Sequence, residues 1–320
     1  MLINIFDTAL GSDNLGDRII MDAVWDVVRA LFTNATFIRT PSHRHATLAE
    51  LRMGRKAVLS IVGGTNILKG HMFVRSNWRI TPFDYFAWRN VVLLGVGWQQ
   101  YGGEADALTR LFFSTVLSKS KLQSVRDWHT HAKLRRCVPN AIYTACPTMW
   151  KLDSRRIPVR KARSAIFAVT YYRPAPVQDR ALFELLKRHY DKIYFWPQQR
   201  LDIPYIHSIG ISGYAPIRHD LAAYDQLLRD TDVDFIGARL HGGIRALQHG
   251  RRSLIIPVDN RATEISKSTQ LPIMDRNNLD SIERWIVSPE PTRLTLPHES
   301  IESWKSQFMA LAADSSRMAL

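Results

Sequence analysis

The stretch that decides the fold reads Asp234-Phe-Ile-Gly-Ala-Arg-Leu-His-Gly-Gly-Ile-Arg-Ala-Leu-Gln-His-Gly250. It begins as an apolar run bounded by glycine, which is typical of a buried strand, and apolar residues then recur with helical spacing as far as Gly250. We therefore expect a strand, a tight turn and a helix over 242–248. Arg239 and His241 then lie at the carboxyl end of the strand. In open α/β sheets this end, beside the free N–H groups of a helix N-terminus, is where anionic ligands bind.

Length and composition limit the class of protein. The chain has 320 residues, of which 46% are hydrophobic, so two globular domains are expected. Its longest apolar runs, at 57–62 and 91–96, are far shorter than the roughly 20 residues that span a bilayer. The N-terminus resembles a first strand rather than a signal peptide, which predicts a cytoplasmic protein. Cys137 and Cys146 have no metal-ligand spacing and are expected to be buried.

The charge is strongly positive. Lys and Arg number 43 against 29 Asp and Glu, a net charge of +14. Such an excess attracts phosphates, acidic sugars or an anionic membrane surface. The basic residues are scattered and no nucleic-acid-binding motif is present, so nucleic acid is not an expected partner.

Strand-like runs alternate with helical patterns on both sides of a polar, proline-interrupted segment at 151–163, which predicts two doubly wound parallel sheets joined by a linker. We place an N-terminal domain at 1–155, a second domain at 156–298 and a closing segment at 299–320. In that last segment Ile301, Trp304, Phe308 and Leu311 share one helical face, which could pack against either domain.

Three further motifs follow strands of the first domain. Gly11-Ser-Asp-Asn-Leu-Gly-Asp17 leaves strand one and opens a helix, either as a simple turn or with Asn14 and Asp17 facing a ligand. Glycines at 63, 64, 95 and 97 also follow strands, where they allow a ligand or a helix to approach the backbone. Arg126 precedes Asp127, which is either a helix N-cap beside a surface arginine or part of an anion site.

In the second domain, Arg239, His241 and Arg261 are expected at carboxyl ends of neighbouring strands, with the backbone N–H groups of Gly242 and Gly243 beside them. Histidine suits proton transfer near neutral pH. No cluster of metal ligands is apparent in the sequence.

Together these motifs resemble the polysaccharide pyruvyl transferase family. The matching segments are Asn14-Leu-Gly-Asp17, Gly63-Gly64, Gly95-Val-Gly97, Val125-Arg-Asp127 and, most specifically, Arg239-Leu-His-Gly242. Two positions depart from the family pattern. Arg261 stands where some members carry lysine, and Cys146-Pro147 stands where many have Asp-Pro.

The resemblance implies two Rossmann-like domains facing a cleft, as in B-type glycosyltransferases, with the acceptor expected on the first domain and the donor on the second. It implies transfer of a pyruvate ketal from phosphoenolpyruvate, as co-substrate and without another cofactor, to a sugar diol. The acceptor would be a lipid-linked precursor of an exopolysaccharide or cell-surface glycan, and the protein could contact the inner membrane face peripherally. Arg126, Arg239 and Arg261 would bind the donor, with His241 and Asp17 catalytic and Asn14, Gly63, Gly64 and Gly97 lining the cleft.

Two other functions fit the same pattern. A B-type glycosyltransferase could bind a nucleotide diphosphate on the same basic wall, with Glu264 as a candidate ribose ligand. Alternatively, the chain could be a non-catalytic glycan- or anion-binding homologue. Trp78, Trp88 and Trp98 are candidate sugar platforms in that case, although most tryptophans are expected in the core.

Overall fold

The computed structural model describes residues 1–74, 76–81, 88 and 90–311. The chain divides into two compact units. The first contains Met1–Ser12, Ile20–Trp150 and the chain from Leu296 onward, and the second contains Asp13–Ile19 and Lys151–Thr295. Of the C-terminal segment predicted at 299–320, residues 312–320 lie outside the described part.

The first 150 residues contain the following strands and helices. They are β1 (Leu2–Asp7), α1 (Leu15–Leu31), β2 (Thr36–Pro41), α2 (Leu48–Gly54), β3 (Leu59–Gly63), β4 (Asn66–Leu68), β5 (Val91–Leu94), β6 (Gly97–Trp98), α3 (Ala107–Val116), β7 (Gln123–Val125), α4 (Trp128–Arg135) and β8 (Ala141–Tyr143). The main sheet has the order β2-β1-β3-β5, and β7 pairs with β8. All these pairings are parallel, as the alternating pattern predicted.

The rest of the chain has strands and helices that alternate from residue 164 to residue 269, followed by two more helices. Its elements are β9 (Ser164–Ala168), α5 (Pro176–His189), β10 (Lys192–Phe195), α6 (Asp202–Ser208), β11 (Ala215–Pro216), α7 (Leu221–Asp230), β12 (Val233–Gly237), α8 (Leu240–Gln248), β13 (Ser253–Ile255), α9 (Asn260–Thr269), α10 (Leu279–Val287) and α11 (His298–Ser306). The sheet order is β11-β10-β9-β12-β13, again fully parallel. The predicted α/β class is therefore confirmed.

The strand and helix expected from the opening stretch are β12 and α8. The helix begins at Leu240, two residues earlier than expected, so the two glycines lie in its first turn rather than in a separate turn before it. Gly250 follows the helix with φ +68°, a left-handed conformation that glycine adopts without steric cost. β12 lies between β9 and β13, so its carboxyl end has strand ends on both sides.

The closing helix α11 belongs to the first unit. Ile301, Trp304 and Phe308 are each at most 2% exposed and Leu311 is partly buried against the same core, which confirms the predicted apolar face. The Trp304 indole N–H also donates to the carbonyl oxygen of Leu93 at 3.1 Å. This contact ties the helix to the end of β5.

Two sequence expectations need correction. Asp13–Ile19 was assigned to the first domain but groups with the second unit, because the Leu15 N–H donates to the carbonyl oxygen of Gln198 at 2.9 Å and Asp13 pairs with Arg200 at 3.2 Å. Cys146 is buried as expected. Cys137 is only partly buried, because it lies in the turn after α4.

Among the described helices, we find none whose length and apolar character would allow it to cross a membrane.

Candidate active site

Arg239 follows β12 and is almost fully buried, with 1% of its surface exposed. Its Nε–H donates to the carbonyl oxygen of Val169 at 2.8 Å, and its Nη1 donates to Oε1 of Gln199 at 2.8 Å. Its Nη2 forms a buried ion pair with Asp202. The guanidinium group is thus oriented by three protein acceptors, one directly after β9 and two in the segment from β10 to the start of α6.

The partner carboxylate of Asp202 is fully buried at the start of α6. Burial raises its pKa, and the charge of Arg239 together with backbone N–H groups opposes that rise. The N–H groups are those of Gln199 at 3.0 Å and Tyr171 at 3.2 Å. Arg239 therefore compensates a buried charge of the protein itself, a role that the sequence did not indicate.

Tyr172 joins two of the predicted donor-binding arginines. The Arg239 guanidinium carbon lies 5.2 Å from the centroid of the Tyr172 ring, and Nη2 of Arg261 donates to the Tyr172 hydroxyl at 2.8 Å. Arg261 also forms an ion pair with Asp259, with a shortest distance of 2.6 Å, so its charge is shared with a carboxylate. Tyr172 follows β9, and this position at a strand end is the signal that could have identified it from sequence.

His241 lies in the first turn of α8 and is 4% exposed. The helix is held by close packing of its glycines. A Cβ at Gly242 would lie 2.7 Å from the Trp196 ring, and one at Gly243 would lie 2.5 Å from Ile255. The two glycines thus allow α8 to approach neighbouring side chains, a packing role that is additional to the predicted donation of their N–H groups.

Gln198 bonds to the segment that carries Asp17 and lies beside the first turn of the helix that carries His241. Its Nε2 donates to Oδ1 of Asn14 at 2.8 Å, and a Cβ at Gly242 would lie 3.4 Å from its Oε1. The Asn14 Oδ1 also accepts from the Gly16 N–H at 3.0 Å, which fixes the start of α1. Sequence reasoning missed Gln198, whose partners are remote along the chain.

At the carboxyl edge of the second sheet, several polar atoms are buried without a hydrogen-bond partner among the described residues. They are the Thr170 Oγ1 after β9, and the Trp196 Nε1 and Gln198 Oε1 after β10. Buried polar groups are usually paired, so unpaired ones clustered at strand ends are a feature expected of a polar ligand site.

Arg245 and His249, further along α8, pair with Asp225 of α7. The distances are 2.6 Å and 3.2 Å. Burial raises the pKa of Asp225, but the hydrogen bonds from both partners outweigh it and lower that pKa to about 2. These residues anchor the far end of α8.

In the first unit, Arg126 is 1% exposed at the end of β7, so the alternative of a surface arginine is wrong. Its Nη2 donates to Oδ1 of Asn66 at 2.9 Å and its Nε lies 3.3 Å from Oδ2 of Asp127. Asp127 is the N-cap of α4, as one of the two interpretations held, and accepts from the Thr130 N–H at 2.7 Å.

Gly97 makes room for this arginine, since a Cβ there would lie 2.3 Å from the Arg126 Cζ. We expect Gly97→Ala to displace the guanidinium group and to lower the free energy of unfolding by about 1–3 kcal/mol, the usual cost of overpacking. Thermal melting measures the loss. Gly103→Ala is the control, because no atom lies within 4 Å of a Cβ there. Equal melting temperatures for the two variants would show that the space between Gly97 and the Arg126 guanidinium group does accommodate a methyl group.

The other predicted rim glycines pack against α1. A Cβ at Gly63 would lie 2.4 Å from Val24, and one at Gly64, which has φ +55°, would lie 2.2 Å from Ile20. Both contacts are with apolar side chains of the helix. These glycines were expected to let either a ligand or a helix come close to the backbone. The contacts in the structure are with a helix, α1.

No group of three or more His, Cys, Asp or Glu side chains placed to hold a metal ion occurs in residues 1–74, 76–81, 88 and 90–311.

The fold resembles that of two solved structures. The UDP-GlcNAc 2-epimerase of Methanocaldococcus jannaschii, in complex with UDP-GlcNAc and UDP, matches with a TM-score of 0.59 and 9% identity, over 98% of this chain and 100% of that one. The MnaA–UDP structure of S. aureus matches with a TM-score of 0.54 and 9% identity, over 97% of both chains. These likenesses confirm a GT-B-like fold.

Sequence comparison identifies the family. No curated protein matches the chain. The family model for polysaccharide pyruvyl transferase matches residues 14–260, which include the Asn14 and Arg239-Leu-His-Gly242 motifs. The chain therefore belongs to the polysaccharide pyruvyl transferase family.

Proposed function

We propose that this protein transfers a pyruvate ketal from phosphoenolpyruvate to a sugar diol of a glycan. The observation that carries the proposal is the arrangement around Tyr172, where Arg239 lies over the ring and Arg261 donates to the hydroxyl at the carboxyl edge of the second sheet. Arginine groups in fixed orientations suit the phosphate and carboxylate of this donor.

The chemistry moves two protons: each of the two sugar hydroxyls loses one, while the enol methylene gains one and the departing phosphate oxygen gains the other. Protonation of the enol methylene makes the adjacent carbon electrophilic. A sugar hydroxyl adds to that carbon and loses its proton, the bond to the phosphate oxygen breaks, and hydrogen phosphate leaves. A second hydroxyl then adds, loses its proton and closes the ketal. No cofactor besides the donor is needed in this scheme.

His241 and Asp17 are the groups that we assign to proton transfer. His241 can protonate the methylene or accept a hydroxyl proton, because an imidazole can act as a general acid or as a general base. Asp17 lies in the first turn of α1, on the segment that Gln198 holds through Asn14. We assign Asp17 to orienting or deprotonating the acceptor.

The arginines and backbone groups are assigned to the donor. Arg261, with a quarter of its side chain exposed, is the better placed of the two to contact an anion directly. Arg239 is buried, and its ion pair with Asp202 holds together the segments at the carboxyl edge of the second sheet. The N–H groups of Gly242 and Gly243 lie in the first turn of α8, where the helix dipole favours negative charge. Arg126 of the first unit keeps its predicted donor-binding role.

The acceptor in this proposal is a lipid-linked precursor of an exopolysaccharide or cell-surface glycan. A net charge of +14 favours approach to anionic lipid headgroups. We therefore propose a cytoplasmic protein that contacts the inner face of the plasma membrane peripherally.

The test is to incubate the full chain with phosphoenolpyruvate and glycans that carry free diols of galactose, glucose or mannosamine type. We expect phosphate to be released and the mass of the acceptor to increase by that of one pyruvyl group bound as a ketal. Phosphate release without a mass gain, or no reaction with any of these acceptors, would contradict the proposal.

A second candidate is a glycosyltransferase that uses a nucleotide sugar. It is favoured by the fold likeness to proteins whose structures contain UDP. The candidate ribose ligand Glu264 is buried and pairs with Lys267 at 2.8 Å. Thermal stabilisation by UDP and not by phosphoenolpyruvate would support this alternative. Stabilisation by phosphoenolpyruvate without turnover would instead indicate a non-catalytic binding homologue.

A further inference from the structure

One tryptophan differs from the others in its exposure. All nine tryptophans lie in the described part of the chain, and Trp128 alone is exposed, at 54%. The three that the sequence suggested as platforms, Trp78, Trp88 and Trp98, are each 1% exposed and belong to the core of the first unit. A large aromatic surface left open to solvent is a common mark of a binding site.

The Trp128 ring is supported from the protein side. It is the first residue of α4, whose start is fixed by the Asp127 cap. Its ring centroid lies 4.6 Å from that of Tyr143, the last residue of β8, at an interplanar angle of 37°. The His131 ring, one turn further along α4, packs edge-on at 5.2 Å. These contacts restrict the indole before a ligand binds, which lowers the entropic cost of binding.

The surroundings of the ring are polar and aromatic rather than apolar. α4 reads Trp-His-Thr-His-Ala-Lys-Leu-Arg, and its only large aliphatic residue, Leu134, is buried. Burial lowers the pKa of His131, which leaves this imidazole neutral and able to hydrogen-bond at pH 7. A membrane anchor or a protein interface needs a contiguous apolar patch, which α4 does not supply.

A second exposed aromatic residue lies close by. Tyr101 is 58% exposed and packs edge-on against His129, the residue that follows Trp128, at 5.3 Å. Flat aromatic rings with hydrogen-bonding neighbours suit a sugar, which presents C–H groups on one face of its ring and hydroxyls around the edge. Trp128 also lies two residues after Arg126, at the carboxyl edge of β7 and β8.

We propose that Trp128 is a platform on which a sugar ring of the glycan acceptor stacks. The proposal rests on the proposed function for the identity of the glycan as acceptor, but the platform binds sugar whether or not transfer follows. Tyr143 and His131 are positioning residues that hold the indole.

Binding is tested on the full chain labelled with ¹⁵N-tryptophan, whose indole N–H signals are resolved by nuclear magnetic resonance. Trp128→Phe assigns the signal of interest. Titration with the methyl glycosides of galactose, glucose and N-acetylmannosamine is expected to shift the Trp128 signal saturably with at least one of them. The signals of the buried tryptophans serve as internal controls. A Trp128 signal that none of the three sugars shifts overturns the proposal.

Kinetics provide the second test. Trp128→Ala is expected to raise KM for the acceptor about 5- to 10-fold, the range of an aromatic contact, with kcat and KM for phosphoenolpyruvate unchanged. Trp128→Phe should recover part of the loss. Leu108→Ala, which removes a side chain 61% exposed on α3, is the control. An unchanged acceptor KM in Trp128→Ala overturns the platform, whereas a shifted Trp128 signal without any transfer overturns only the proposed function.

Discussion

Replacing His241 by alanine is expected to lower turnover by about 100-fold or more, because a positioned general acid or base contributes at least that factor. Alanine is the strongest helix former, so the first turn of α8 should persist in the variant. The measurement is kcat for phosphate release with saturating phosphoenolpyruvate and acceptor.

His249→Ala is the matched control at the other end of the same helix. His249 lies 3.2 Å from Asp225, and Arg245 still pairs with that carboxylate in the variant. We expect a small loss of stability and the turnover of the unmodified chain. A similar loss of turnover in both variants would mean that damage to α8, rather than removal of the imidazole, slows the reaction. Unaltered turnover in His241→Ala would exclude proton transfer by this residue.

The sequence predicted those elements whose signal is local. The period of the apolar residues and the glycine at 250 identified β12 and α8, and Arg239 and Arg126 follow strands as predicted, while their roles at the site stay predictions. The helix start was misplaced by two residues, because Gly242 and Gly243 suggested a turn. In the structure they are packing contacts that Trp196 and Ile255 require.

The parts that were missed depend on contacts between distant segments. Gln198 and Asn14 are separated by 184 residues, and neither position has a motif that indicates the other. Asp202 was not recognised as the partner of Arg239, since 37 residues separate them. Assignment of Asp13–Ile19 to the second unit follows from the same kind of contact. Periodicity describes one element at a time and cannot supply these pairings.

Arg239→Met is expected to lower the free energy of unfolding by about 3–5 kcal/mol, the cost of breaking a buried ion pair from one side. The change leaves the Asp202 carboxylate buried without its cation, and it removes the donors to Val169 and Gln199. Thermal melting and urea unfolding of the full chain measure the loss. Arg239→Lys keeps a charge but not the three-way geometry, so its stability should lie between those of the unmodified chain and the methionine variant.

Arg261→Met is the matched comparison, because the ion pair that Arg261 forms with Asp259 is partly exposed, with a quarter of the arginine side chain open to solvent. Such a pair contributes about 1 kcal/mol or less, so this variant should melt near the unmodified chain while its KM for phosphoenolpyruvate rises.

The double variant Arg239→Met, Asp202→Asn should recover part of the stability lost in Arg239→Met, since the uncompensated charge is then gone. If Arg239→Met instead melted normally and only its KM for phosphoenolpyruvate rose, Arg239 would be a direct ligand of the donor. The buried ion pair would then contribute little to holding the edge of the sheet together.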